Sequence, residues 1–475
     1  MKLKDLINTL HRYCGITANS KEVKNNFIFV AVNGATVDGR EFIPEAVKRG
    51  AKAVISSGKK GRVPARGVRF ITVKDARRAL AKLAAEFYGN PSRKIKVVGV
   101  TGTNGKTTVT YLIEAILIEA GKTPAVAGTI NCRFKDRVIP AINTTPGPTE
   151  LQSLLYGMQK ECVDYALMEV SSHALDQQRT GGIDFHSAIF TNLTQDHLDY
   201  HLDLENYFLA KARLFKNLGP GSFAVINSDD ECSARLTRMC KAPVVSYGIK
   251  RKAQVRARDI DFGLKGSCFL LCAGTQKLTL RSNLIGMHNI YNILAAAAWA
   301  IREGIAPSVI ESAIKKFQAV PGRLERIECR RGFSVFVDYA HTEDALKNIL
   351  ESLRRLSAKR VIVVFGCGGQ RDKTKRPKMG SVVSRMADFA IITNDNPRQE
   401  DPSGIIEDIR RGISKKNYCV IPERAEAIKK SLELARRGDI VLVAGKGHED
   451  YQIIRGQKLH FDDREVVREC LSSMN

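Results

Sequence analysis

A glycine loop between an apolar run and a helix-like stretch carries the clearest chemistry in the chain. Residues 94–111 read KIKVVGVTGTNGKTTVTY. The β-branched residues Val97, Val98 and Val100 suit a buried strand, and Gly105-Lys106-Thr107 opens a helical pattern. Glycines let backbone N–H groups approach phosphate oxygens closely, and a helix N-terminus adds a favourable dipole. In such a P-loop Lys106 reaches the terminal phosphates and the Thr107 hydroxyl sits on Mg²⁺. One residue departs from the general spelling: Val100 stands five places before Gly105, where the pattern has glycine. Glu169 follows the apolar run 165–168, which puts a hard oxygen ligand at the carboxyl end of a parallel strand, where such sheets bind ligands. His197 lies in the His/Asp-rich stretch 196–201, whose spacing alone allows either a transition-metal site or an ordinary loop histidine.

The elements that must position these groups fall into three α/β units. Residues 1–88 combine short strands (27–32 and 53–55) with a helical stretch at 75–87, and Asn90-Pro91-Ser92 punctuates the chain after them. Residues 89–320 alternate apolar strands with helical stretches, the signature of a doubly wound, mostly parallel sheet, with an antiparallel β insertion expected at 250–284. Val320-Pro321-Gly322-Arg323 marks the next boundary. Residues 321–475 alternate again, with buried-strand candidates at 361–366, 389–393 and 440–444, and read as a Rossmann-like unit.

Composition narrows the function classes. A chain of 475 residues with 44% apolar content can bury several cores. Its net charge of +25 suits polyanionic small substrates or a solvated basic surface. The charges are spread along the chain, aromatic residues are 7%, and no RNA- or DNA-binding signature occurs, so no nucleic-acid partner is expected. Eleven scattered cysteines without a CxxC pair argue for a reducing cytoplasm rather than a disulfide framework, and Cys162, Cys268 and Cys272 read as small core residues. The N-terminus lacks the apolar core of a signal peptide, and no stretch approaches ~18 continuous apolar residues. A soluble, cytoplasmic monomer without a transmembrane segment is the expectation.

The loop spelling Gly102-Thr103-Asn104-Gly105-Lys106-Thr107-Thr108 resembles that of the Mur ligase family, which includes folylpolyglutamate synthetase. Further segments match in the same order: 168–173 (MEVSSH), 192–194 (NLT), 196–201 (DHLDYH), Ala210-Lys211, 286–289 (GMHN) with Asn292, 320–323 (VPGR) and 337–342 (VDYAHT). The resemblance covers essentially the whole chain. It implies a uridine-binding first domain, a central ATPase domain and a third domain that selects an amino acid. It also implies an ATP-dependent carboxylate–amine ligase of peptidoglycan precursor synthesis that works through an acyl phosphate. In that reading Gly102 to Thr108, Asn292, Arg323 and Asp338 hold ATP, while Thr107, Glu169, His197 and a CO₂-derived carbamate on Lys211 organise Mg²⁺. His288 stands where the family usually has an aromatic such as Phe, and Glu343 where it commonly has Pro.

The resemblance also implies the substrates. Ala18, Ser20, Ala35, Thr36 and Val37 fall in the two uridine-diphosphate segments, although Asn19 and Lys21 depart from the family's Asp-Ser-Arg spelling. Asn143, Thr144, Thr145, Ser171, Gln177 and Arg179 match positions that hold the rest of a UDP-N-acetylmuramoyl dipeptide. Asp395, Asn396, Pro397 and Arg398 match the recognition segment for meso-diaminopimelate, with Arg371, Gly445 and Glu449 completing the pocket. A guanidinium can grip the distal carboxylate that lysine lacks. Gln370 stands where the family usually has Asp, which removes a charge beside that site. The alternatives are a lysine-adding ligase of the same family and a P-loop nucleotide-binding regulator with an anionic partner.

Overall fold

The computed structural model describes residues 3–34, 37–58, 67–356 and 359–474. Its strands form three principal sheets. The first holds Gly15–Thr17, Phe27–Ala31, Ala51–Ser57 and Arg69–Val73, all parallel. The helix Ala76–Phe87 covers it. Asp75 caps that helix by accepting from Arg78 N at 3.1 Å, and the buried faces of Leu80 and Leu83 meet Ile28, Val30 and Ile55.

The second sheet is larger than the alternating pattern implied. Among the described residues it has eleven strands, with the P-loop strand Lys96–Thr101 between Tyr165–Glu169 and Phe185–Phe190. Its middle is parallel and mostly buried, as expected where helices cover both faces. Both edges are antiparallel. The insertion expected at 250–284 is three strands, Val255–Gly263, Gly266–Ala273 and Gln276–Ser282, that extend the same sheet. The opposite edge, Asn131–Phe134 with Arg137–Pro140, has no counterpart in the sequence reading, because both strands are short and one is wholly exposed. Two helices, Lys106–Glu119 and Met287–Arg302, pack together over this sheet. The second contains Ala295 to Ala298, whose small side chains allow close approach. Beside them Trp299, the chain's one tryptophan, is fully buried. Its Nε1 donates to Ser187 Oγ at 2.9 Å, and its ring meets Tyr165 edge-on.

The third sheet has the order Glu325–Ile327, Ser334–Asp338, Ile440–Ala444, Val361–Phe365, Phe389–Ile392 and Tyr418–Val420, parallel except for its first strand. Its central strands lie within a residue of the expected ranges. The cysteine expectation needs correction. Cys162 is exposed, in a left-handed turn that follows the helix Pro148–Lys160. Cys268 and Cys272 are half-buried because they point outward from an alternating strand. Among the described residues no helix is long and apolar enough to cross a membrane.

Candidate active site

The carboxyl ends of the second and third sheets face one another across a cavity of about 1400 Å³. The loop after the strand Lys96–Thr101 forms one wall. Gly105 caps the next helix at φ 88°, and a Cβ there would strike Asn292 Oδ1. Glycine is therefore required twice, for the left-handed backbone and for the close approach. No side chain caps the helix, so its first N–H groups face the cavity. Lys106 folds over the loop and donates to the carbonyls of Gly102 (3.0 Å) and Thr103 (2.8 Å). Asn104 N donates to Asn192 Oδ1 at 2.9 Å, which fixes the loop from below.

Glu169 ends its strand almost fully buried. It accepts from Thr107 Oγ1, Thr129 N and Thr129 Oγ1, each at 2.9 Å. Arg323, from the third unit, donates through Nη2 to Thr107 Oγ1 at 3.3 Å and lies over the Tyr339 ring. Asp338 accepts from Leu324 N (2.5 Å) and Ala340 N (2.6 Å). Burial raises its pKa to about 6 against the opposing pull of Arg323. Thr103, Asn104, Thr108 and Asn292 line the same wall.

Lys211 sits behind the loop, 2% exposed. Its Nζ donates to Gly102 O at 2.9 Å and lies 4.4 Å from the centre of the Tyr207 ring. Burial, helped by the Lys106 charge, pushes its pKa well below the ordinary lysine value, with Asp196 opposing. A neutral amine is thereby favoured. His197 has φ 55°, caps the helix Leu198–His201 and lies 3.4 Å from Asp196, with its ring against His173. Desolvation holds this imidazole neutral, below the usual histidine range, although Asp196 works the other way.

A second wall carries the dipeptide candidates. Asn143, Thr144, Ser171 and Arg179 line the cavity. Thr145 lies beneath them, accepting from Ser171 N and donating to Glu169 O, and Gln177 accepts from Arg179 at 3.0 and 2.7 Å. On the first unit, Ala18, Ser20 and Val37 do not line this cavity. Ser20 is buried and donates to Glu45 at 2.6 Å, while Ala18 and Val37 are exposed. Ala35 and Thr36 lie outside the described residues.

The far end of the cavity belongs to the third unit. Arg371, Asp395, Asn396, Arg398, Gly445 and Glu449 line it, and Pro397 lies just behind. Asn396 Nδ2 donates to Glu449 Oε2 at 2.8 Å, and Arg398, at φ 56°, donates to Gly369 O at 2.6 Å. Burial raises the Glu449 pKa, as does the Asp395 charge, while Lys446 works against both. Beside Gln370, Glu400 accepts from Gln370 N and pairs with Arg376 at 2.9 Å. His288 is half-buried on the cavity lining, with its Nδ1 atom buried and unpartnered. Glu343 opens the helix Glu343–Arg354.

Sequence reasoning missed Thr129, Asp344 and Lys446. Asp344 Oδ2 accepts from Asn104 Nδ2 (3.0 Å) and Thr194 Oγ1 (3.2 Å). In sequence it reads only as a first-turn carboxylate suited to a helix dipole.

A nucleotide loop facing a carboxylate and an acid-and-arginine pocket across two α/β units defines an ATP-dependent ligase, and comparison with known proteins places the chain. Residues 12–88 match the Mur ligase family catalytic domain, 100–300 the Mur ligase middle domain and 322–447 the Mur ligase glutamate ligase domain. The chain belongs to the Mur ligase family. It is 44% identical to the UDP-N-acetylmuramoyl-L-alanyl-D-glutamate–2,6-diaminopimelate ligase of Syntrophomonas wolfei, over 99% of both chains. It is 43% identical to the protein of that name from Geobacillus thermodenitrificans, over 98% of this chain and 99% of the other. A solved structure described as such a ligase superposes with a TM-score of 0.70 at 34% identity, covering 97% of this chain and 95% of its own.

Proposed function

We propose that this chain joins the amine of meso-diaminopimelate to the D-glutamate γ-carboxylate of UDP-N-acetylmuramoyl-L-alanyl-D-glutamate, with ATP converted to ADP and phosphate. One observation carries the reading: a single cavity runs from the phosphate loop at Lys106 to the arginines Arg371 and Arg398 and the carboxylate Glu449. A γ-carboxylate oxygen attacks the terminal phosphorus of ATP, and ADP leaves. The amine then attacks the acyl carbon, and phosphate leaves from the tetrahedral intermediate with loss of one proton from nitrogen. Lys106, the helix N-terminus and Arg323 offset the negative charge gathered there. Arg398 and Arg371 grip the distal carboxylate, and Glu449 with Asp395 receives the distal ammonium.

The donor set fits Mg²⁺ together with a modified lysine. Among the described residues no three His, Cys, Asp or Glu side chains cluster to hold a metal. Thr107, Glu169 and His197 offer a hydroxyl, a carboxylate and a neutral imidazole, and a carbamate on Lys211 adds an anionic oxygen donor. When bound, Mg²⁺ neutralises phosphate charge and polarises the transferred phosphoryl group. The lowered pKa of Lys211 favours the neutral amine that CO₂ requires. We place the unit boundaries near residues 88 and 320 and the activity in the cytoplasm, with the chain acting as a monomer.

Phosphate release with ATP, Mg²⁺, bicarbonate and the UDP-dipeptide, compared across meso-diaminopimelate, L-lysine and no amino acid, tests this reading. Turnover and a tripeptide mass with diaminopimelate alone are expected. Turnover with lysine overturns the amino-acid assignment. ATP turnover indifferent to any amino acid favours the nucleotide-regulator reading instead.

A further inference from the structure

Beneath the amino-acid end of the cavity lies an ion pair that takes no part in the reaction described above. Arg424 and Asp463 are both fully buried. Arg424 Nε donates to Asp463 Oδ1 and Nη2 to Oδ2, each at 2.7 Å. Two further donors go to backbone carbonyls, Nη1 to Asn394 O (3.3 Å) and Nη2 to Ala444 O (3.0 Å). Those carbonyls immediately precede the two segments that build the pocket, 395–398 and 445–449. The segments leave the strands Phe389–Ile392 and Ile440–Ala444, which are separated in the sheet by Val361–Phe365. At the ends of these strands the guanidinium spans the gap; further out the segments are joined by the bond from Asn396 to Glu449 and by a bridge between Arg398 and Ile454.

Charge gives a second argument. Asp395, Glu449 and Asp463 are acidic, while Arg424 and the fully buried Lys446 are basic. Lys446 Nζ lies 3.5 Å from Glu449. With Arg371 and Arg398 also on this wall, the acids do not outnumber the bases, so the Asp463 carboxylate is what keeps the Arg424 charge from adding to theirs beside the ammonium end. The spacing between the segments is also tight: a Cβ on Gly445, at φ 122°, would come within 2.6 Å of Asp395 Oδ2. A buried ion pair is a poor source of net stability, since desolvation offsets most of its attraction. A placement role accounts for its retention better than stability does.

We infer that Arg424 and Asp463 form a positioning pair that sets the affinity of this ligase for its amino acid, by holding the Asp395–Arg398 and Gly445–Glu449 segments in register while cancelling each other's charge beneath the pocket. The inference deepens the proposed function and rests on it. Neither residue touches substrate. Asp463→Asn keeps the shape but removes the neutralising carboxylate, so the Arg424 charge stands unpaired beneath Asp395 and Glu449 and opposes an incoming ammonium. Arg424→Lys keeps the charge and loses the fork that reaches both carbonyls.

The test is steady-state ligation by the full chain, varying ATP, UDP-dipeptide and meso-diaminopimelate in turn. Asp463→Asn is expected to raise KM for diaminopimelate at least about tenfold, with KM for ATP and UDP-dipeptide within about twofold and kcat within about threefold. Arg424→Lys should fall between wild type and Arg424→Gln. The double variant Arg424→Met/Asp463→Leu, in which neither charge is left unpaired, should fold and still show the raised KM. An unchanged amino-acid KM in a folded variant overturns the inference, as does a common loss in all three KM values and kcat that tracks thermal stability. If the wild-type chain takes lysine instead, the amino-acid assignment fails, and the same comparison run with lysine still decides the role of the pair.

Discussion

Asn104 and Asp344 are 240 positions apart in sequence, yet Asn104 Nδ2 donates to Asp344 Oδ2 at 3.0 Å. Thr194 Oγ1 donates to the same oxygen at 3.2 Å. The phosphate loop of the second unit is thereby tied to the first turn of the helix Glu343–Arg354 in the third. Together with the contact of Arg323 to Thr107, this makes the loop sensitive to where the third unit sits. Asp344→Ala removes both hydrogen bonds. It should lower kcat/KM for ATP about tenfold and cost on the order of 1–2 kcal/mol of stability, read by initial rates and urea unfolding.

Lys211→Met tests the lysine behind the loop. The methionine retains most of the buried volume but can form no carbamate. Ligation should fall at least about 100-fold, while nucleotide binding measured by calorimetry persists. The folded-state pKa of Lys211 lies below its unfolded value, so the unfolded chain binds the extra proton between the two and stability there rises with pH. Removing the group in carbonate-free buffer should therefore raise the melting temperature at pH 7. A lowered melting temperature would count against a neutral buried amine.

Arg398→Met separates the two amino acids. Loss of a guanidinium facing the distal carboxylate should cost about 2–4 kcal/mol in kcat/KM for diaminopimelate, roughly 30- to 1000-fold, and leave the poor rate with lysine unchanged. Equal losses for both amino acids would show that Arg398 acts on their common end.

Glu303 gives an acid-stability prediction away from the site. It accepts from His186 Nε2 at 2.7 Å and Tyr165 OH at 2.8 Å, and pairs with Lys96. Burial alone would raise its pKa, but these donors prevail and bring it down to about 2. A depressed carboxyl pKa stabilises the fold above the unfolded value near 4.5, and that contribution is lost as pH falls towards 2. The loss is on the order of 3 kcal/mol. Denaturant midpoints from pH 6 to pH 2.5 should fall less steeply for Glu303→Gln than for wild type.

Legibility in the sequence followed locality. The phosphate loop was readable because strand, glycines, Lys106 and helix are contiguous, and the strands 361–365 and 440–444 because burial on both faces demands unbroken apolar runs. The segment 131–140 escaped notice because its strands are short and mixed in character. Asp344, Thr129 and the pair Arg424–Asp463 escaped for another reason. Their significance lies in partners 40 to 240 positions away for the first two and 39 for the pair, and no local pattern marks them. His197 was marked by its neighbours, but nothing in its surroundings announced a left-handed backbone.

Trp299 makes the protein its own reporter. Its indole lies between the large sheet and the helix Met287–Arg302, hydrogen-bonded to Ser187, and the first and third units hold no tryptophan at all. Indole emission therefore follows melting of the central unit alone, whereas far-ultraviolet circular dichroism sums all three. Coincident transitions would mark the chain as one cooperative body. A dichroism change that precedes the fluorescence change would measure how independently the outer units let go.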